Sequence, residues 1–74
     1  MPRMPRVSAR EALRALHADG WTVVRTSGSH THLHHSQKPG VVTVALHTGT
    51  IPTGTLRSII RQAGLTIDQF IALL

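Results

Sequence analysis

The chain has no cysteine and no tyrosine, one tryptophan, one phenylalanine and only three acidic residues among 74. Without cysteine there is neither a disulfide framework nor a thiolate metal site, which suits a reducing compartment such as the cytosol. With two aromatic rings of the Phe, Trp and Tyr kind in all, a base-stacking sheet that reads single-stranded RNA is not expected. Long apolar runs are missing too, and no apolar segment follows the charged Met1-Pro2-Arg3-Met4-Pro5-Arg6. Neither a membrane span nor a cleaved signal is expected. The length suits one domain with a modest core.

What is present is positive charge. Eight Lys and Arg against three Asp and Glu give a formal charge of +5, and seven of the eight cations are arginine. Arginine favours planar, bidentate contact with phosphate, so RNA or DNA is the natural polyanionic partner. The competing reading is a solvated basic surface with no partner at all.

Taken in order, residues 1–6 form a basic arm with little to bury, expected to be flexible. Ser8-Ala9-Arg10-Glu11 has capping-box spacing, with Val7 and Ala12 at the staple positions. Ala9, Ala12, Leu13 and Leu16 then make the apolar stripe of a first helix that ends at Gly20. Trp21 to Thr26 reads as a strand, Ser27-Gly28-Ser29 as a turn, and His30 to His35 as a second strand. Ser36 to Gly40 turns the chain again, and Val41 to His47 reads as a third strand. A second helix is expected from Thr53 to Ala63, where Leu56, Ile59, Ile60 and Ala63 fall on one side and Gly64 stops it. Thr66-Ile67-Asp68-Gln69 is a further capping box, opening a short helix striped by Ile67, Phe70, Ile71 and Leu74. The expected fold is α+β: α-β-β-β-α with a short extra C-terminal helix. Its three-stranded antiparallel sheet has one face covered by helices and the other open.

In the second strand, alternation sends Thr31, Leu33 and His35 to one face and His30, His32 and His34 to the other. Leu33 marks the core face, so His30 looks outward beside the turn. If residues 36–41 form the next hairpin loop, Leu33 meets Val44 and His30 faces His47 across the strands. Two imidazoles on an open basic face suit metal-free RNA cleavage. One takes the 2′-hydroxyl proton and the other protonates the leaving oxygen. Arginines would hold the phosphate, and the free amides at Thr53-Gly54-Thr55 offer a further contact. The candidate catalytic residue is His30, with His47 as a possible second group; Arg25, Lys38, Arg57, Arg61 and Thr55 are the candidate RNA contacts. Arg57 and Arg61 are equally consistent with a solvated helix face. His32 and His34 read as solvated strand residues, and His17 and His35 as structural. The run of alternate histidines is compatible with a metal site, but no cysteine or strand carboxylate completes a ligand set, so no metal or other cofactor is expected.

The motifs also carry a family resemblance. Val7-Ser8-x-Arg10-Glu11, Leu16, Gly20-Trp21, Val24-Arg25, Gly28-Ser29-His30, Val42-Thr43-Val44, His47, the run Gly54-Thr55-Leu56-Arg57-Ser58-Ile59-Ile60-Arg61-Gln62-Ala63-Gly64, and Phe70 together closely resemble the HicA toxins of bacterial toxin–antitoxin pairs. The likeness extends over about residues 7–74. It implies a double-stranded-RNA-binding-like fold and a ribosome-independent, cytoplasmic mRNA interferase, monomeric when free. It also implies that the histidine of Gly-Ser-His, here His30, is catalytic, and that a HicB-like antitoxin covers the active face. One departure is Ala45, where the family usually has proline two residues before the later histidine, here His47. The alternative function is an RNA-binding module of the same fold that does not turn over.

Overall fold

The computed structural model describes residues 3–74; Met1 and Pro2, part of the expected N-terminal arm, lie outside them. The chain order is α1 (Ala9–Ala18), β1 (Trp21–Ser27), β2 (His30–His35), β3 (Val42–Ala45), α2 (Thr53–Gln62) and α3 (Ile67–Ala72). The strands form one antiparallel sheet in the order β1-β2-β3. The α+β architecture is the expected one.

α1 starts where the sequence says it should. Ser8 N–H donates to Glu11 Oε1 at 2.8 Å and Glu11 N–H donates to Ser8 Oγ at 3.1 Å, a reciprocal capping box. The backbone N–H of Ser8 favours the ionised carboxylate and holds the Glu11 carboxyl below its ordinary range. The buried stripe of α1 is Ala9, Ala12, Ala15 and Leu16, with Leu13 only half-buried. Ala15 was not in the expected stripe. It is buried because α1 packs on two sides, against the sheet through Ala9 and Leu16 and against the other helices through Ala12 and Ala15.

Two apolar clusters follow from that arrangement. Ala9, Leu16, Trp21, Leu33, Val42, Val44, Ile59 and Ala63 fill the space between sheet and helices. Val7, Ala12, Ala15, Leu56, Ile60 and Phe70 fill the space among the helices, and Ile51 and Leu65 touch both clusters. Met4 packs against the second cluster, so this part of the arm lies on the domain. α2 closes in a Schellman arrangement, with Gly64 N–H donating to Arg61 O at 3.0 Å and Leu65 N–H to Ile60 O at 3.1 Å. α3 departs from its expected stripe: Phe70 is buried with Ile67 and Leu73 beside it, whereas Ile71 and Leu74 are exposed. One short helix seats a single i, i+3 ridge on the core and leaves the adjacent ridge in water.

The second hairpin needs a correction. β3 ends at Ala45 rather than His47, and β2 pairs with it two residues out from the expected register: His30 with Ala45, Thr31 with Val44, His32 with Thr43 and Leu33 with Val42. A two-residue slip preserves the faces, so Leu33, Val42 and Val44 remain in the core. The cause lies in the connection. β2 runs on past the start of β3, and the chain beyond it is drawn to the helical layer by Lys38. Its Nζ donates to Asp19 Oδ2 at 2.6 Å and to Ala63 O at 3.0 Å. At the other end, His47 N–H donates to Ala45 O at 3.1 Å, a γ-turn about Leu46 that breaks the strand.

Candidate active site

The turn before His30 is a two-residue hairpin. Ser27 pairs with His30, and Gly28 and Ser29 span the gap. Gly28 has φ +60° while Ser29 stays at negative φ, the pattern of a type II′ turn whose first central position calls for glycine. The turn sets His30 at the first position of β2, on the open face. His30 is exposed, its strand neighbours on either side are the small Ser27 and Ala45, and its ring makes no hydrogen bond among the described residues.

One rung along the sheet lies a second constellation. β1 and β2 pair as Val23 with Leu33 and then Arg25 with His32, so Val24 is an extra, bulged residue. Strict alternation from Trp21 would send Arg25 to the covered face; the bulge turns it to the open one. Arg25, His32 and Thr43 therefore form one rung across all three strands. His32 Nδ1 lies 3.0 Å from Thr43 Oγ1, and both residues are half-buried. Arg25, His32 and His34, with Val24 and Val41, line a shallow cleft on this face.

His47 is elsewhere. The γ-turn removes it from the strand, so it is not the cross-strand neighbour of His30. With Ala45, Thr50, Thr55 and Ile59 it lines a groove of about 260 Å³ at the outer edge of β3. Thr55 stands in the first turn of α2, which has Pro52 as N-cap and no side-chain cap. The first intrahelical bond there is Leu56 N–H to Pro52 O at 2.9 Å, which leaves the amides of Thr53, Gly54 and Thr55 without helical partners.

The remaining candidate contacts sit away from this face. Arg57 and Arg61 are exposed on the helical layer, beside a hollow lined by Leu65, Thr66 and Ile67. Lys38 is held by Asp19 and the Ala63 carbonyl in the bonds already described. Asp19 also accepts from Trp21 Nε1 at 3.2 Å. His35 completes that node as a structural residue: its Nε2 lies 2.7 Å from Asp19 O, Gln37 N–H donates to its Nδ1 at 2.9 Å, and its ring meets Trp21 edge-on at 5.3 Å. Nδ1 accepts, so Nε2 carries the proton and donates. The fold thus gathers Arg25 with three histidines, and His47 with Thr55. It separates both groups from Lys38, Arg57 and Arg61. Sequence reasoning missed Thr43 as the partner of His32; only the true strand register reveals it.

The family model for the HicA toxin of bacterial toxin–antitoxin systems matches residues 9–65. The chain belongs to the HicA toxin family. No curated protein matches it. The HicA match spans α1, the whole sheet and α2, and so contains both histidine constellations and the uncapped start of α2. The chain is thus a toxin of a toxin–antitoxin pair. Among the described residues of this HicA chain no helix is long and apolar enough to cross a membrane. No three His, Cys, Asp or Glu side chains among them come together as metal ligands.

Proposed function

We propose that this HicA toxin is a metal-independent endoribonuclease that cleaves mRNA in the cytoplasm, with His30 as an acid/base group at the scissile phosphate. The observation that carries the reading is the exposed, unbonded imidazole of His30, set on the open face by the Gly28-Ser29 turn between two small neighbours. An exposed histidine with small cross-strand neighbours and no hydrogen bond has little structural role, and it leaves room for a ribose-phosphate. Arg25 lies one rung away to balance the charge of the phosphate. His47 and Thr55, in the groove at the β3 edge, serve as contacts for the RNA strand beyond the scissile bond. A nuclease of this kind would degrade the messages of its own cell. A HicB-like antitoxin that presents acidic groups to the open face would mask His30 as a phosphate mimic.

The test is to express the wild-type chain and His30→Ala in a bacterial host and follow growth, mRNA integrity and the circular dichroism of the purified proteins. His30→Ala should retain its fold and lose RNA cleavage by about 10²-fold or more. Equal cleavage at equal folded fraction would remove His30 from the mechanism. RNA binding without cleavage by the wild-type chain would leave only the binding-module reading. Cleavage should also persist in EDTA. Loss on chelation, with recovery on adding magnesium or zinc, would contradict the metal-independent mechanism.

A further inference from the structure

We infer that His32 is the second acid/base group of the cleavage site and that Thr43 positions it. This rests on the ribonuclease reading of His30 and replaces His47 in the role of its partner.

Three observations meet at this residue. First, His30 and His32 are two apart on one strand, so their side chains leave the same open face with Cβ atoms about 7 Å apart. That spacing lets two imidazoles flank one phosphate, whereas His47 lies past the γ-turn at the β3 edge. Second, His32 is the only open-face histidine of β2 whose ring has a side-chain partner among the described residues: Thr43 Oγ1, 3.0 Å from Nδ1. The register accounts for the short distance. Leu46 N–H donates to Ser29 O at 2.6 Å, which makes Ser29 and Leu46 a hydrogen-bonded pair and His32 and Thr43, by alternation, a non-hydrogen-bonded one, where side chains approach most closely. With Nε2 as the reacting nitrogen, Nδ1 keeps its proton in both the neutral and the charged ring, so Thr43 Oγ1 accepts from it and holds the ring in place through both halves of a proton cycle. Third, Arg25 stands directly opposite His32 on β1, placed there by the bulge at Val24. It supplies the cation that the phosphate needs beside the acid/base pair.

The step balances as follows. One imidazole of the pair, bare at Nε2, takes the proton from the ribose 2′-hydroxyl. The 2′-oxygen bonds to phosphorus, the bond from phosphorus to the 5′-oxygen breaks, and the other imidazole, protonated, gives its proton to that leaving oxygen. The products are a 2′,3′-cyclic phosphate and a 5′-hydroxyl. Each ring ends in the protonation state in which the other began. The charged and titratable groups facing His32 are Arg25 on β1 and His30 and His34 on β2; β3 presents only Thr43 and Ala45.

The experiment measures cleavage of a short RNA across pH 5 to 9 by the wild-type chain, His30→Ala, His32→Ala, the double variant, Thr43→Val and Thr43→Ser. His32→Ala should lower kcat by about 10²-fold or more and remove one limb of a bell-shaped profile. The double variant should fall little below either single one, because the two rings act as a unit. Thr43→Val should lose about two- to tenfold in kcat with an altered pH profile, and Thr43→Ser should restore both. A raised KM with unchanged kcat and both limbs intact in His32→Ala would make His32 a binding residue and overturn the assignment while leaving the His30 reading in place. An inactive wild-type chain would overturn both.

Discussion

At the scale of single residues, Gly20 is a position where the fold tolerates no side chain. It follows the end of α1 at φ +108°, a conformation L side chains avoid, and a Cβ there would lie 2.6 Å from His35 Nε2. The missing side chain is what lets His35 reach the Asp19 carbonyl and set its ring against Trp21. Gly20→Ala therefore combines backbone strain with displacement of a bonded ring, and should cost about 2–4 kcal/mol. Gly28 offers an internal comparison. It also has positive φ, but a Cβ there would meet nothing within 4 Å. Gly28→Ala should cost only the strain, about 1 kcal/mol. Urea unfolding of the two variants checks the order; a larger loss at Gly28 would contradict the packing role of His35.

At the scale of elements, the helices were legible in the sequence and the sheet only in part. Ser8 with Glu11, and Thr66 with Gln69, fix helix starts through local chemistry that needs no knowledge of the rest of the fold. Period-2 alternation likewise gave the faces of β2 and placed Val42 and Val44 of β3 in the core. Leu46, expected on the same face as those two valines, lies past the end of the strand and is exposed. Register and strand length were hidden, because a two-residue slip leaves every face unchanged and so carries no signature in hydrophobicity. The bulge at Val24 was hidden for a related reason: two adjacent valines satisfy either phase. These two features decide the site, since the bulge brings Arg25 to the open face and the register gives His32 its hydroxyl partner. The register also explains Ala45. Its neighbour Leu46 directs its N–H to β2, so the N–H of Ala45 points to the free edge, and its carbonyl is taken by the γ-turn. The proline that the HicA resemblance associates with this position would cost no ladder bond there. Ala45→Pro should keep the fold and leave the melting temperature unchanged or slightly raised, as the unfolded chain loses freedom. A fall of several degrees would show that the Ala45 N–H is needed.

At the scale of the whole molecule, charge and chemistry are distributed differently. The open face holds the histidines but Arg25 is the arginine it presents, whereas Arg10, Arg14, Arg57 and Arg61 are exposed on helices. Lys38 is paired with Asp19 and adds little to the outer field. On the proposed reading, the helical arginines would raise the local concentration of RNA and hold its flanking phosphates, while the open face would carry out cleavage. Binding and turnover should then separate by mutation. Arg57→Glu with Arg61→Glu should weaken RNA affinity and flatten its salt dependence, by about 1.4–1.8 in the slope of log K against log salt if each arginine meets one phosphate. At saturating RNA the same double variant should keep its kcat, because neither side chain lies on the His30 face. Arg25→Glu should lower kcat as well, since it places a carboxylate beside the acid/base pair. Filter-binding titrations over a range of salt, with cleavage rates at saturation, distinguish the cases. An unchanged affinity and slope in the helical double variant would make those arginines a solvated helix face. A lost kcat would instead mean that the RNA wraps from the sheet onto α2 in the reactive complex.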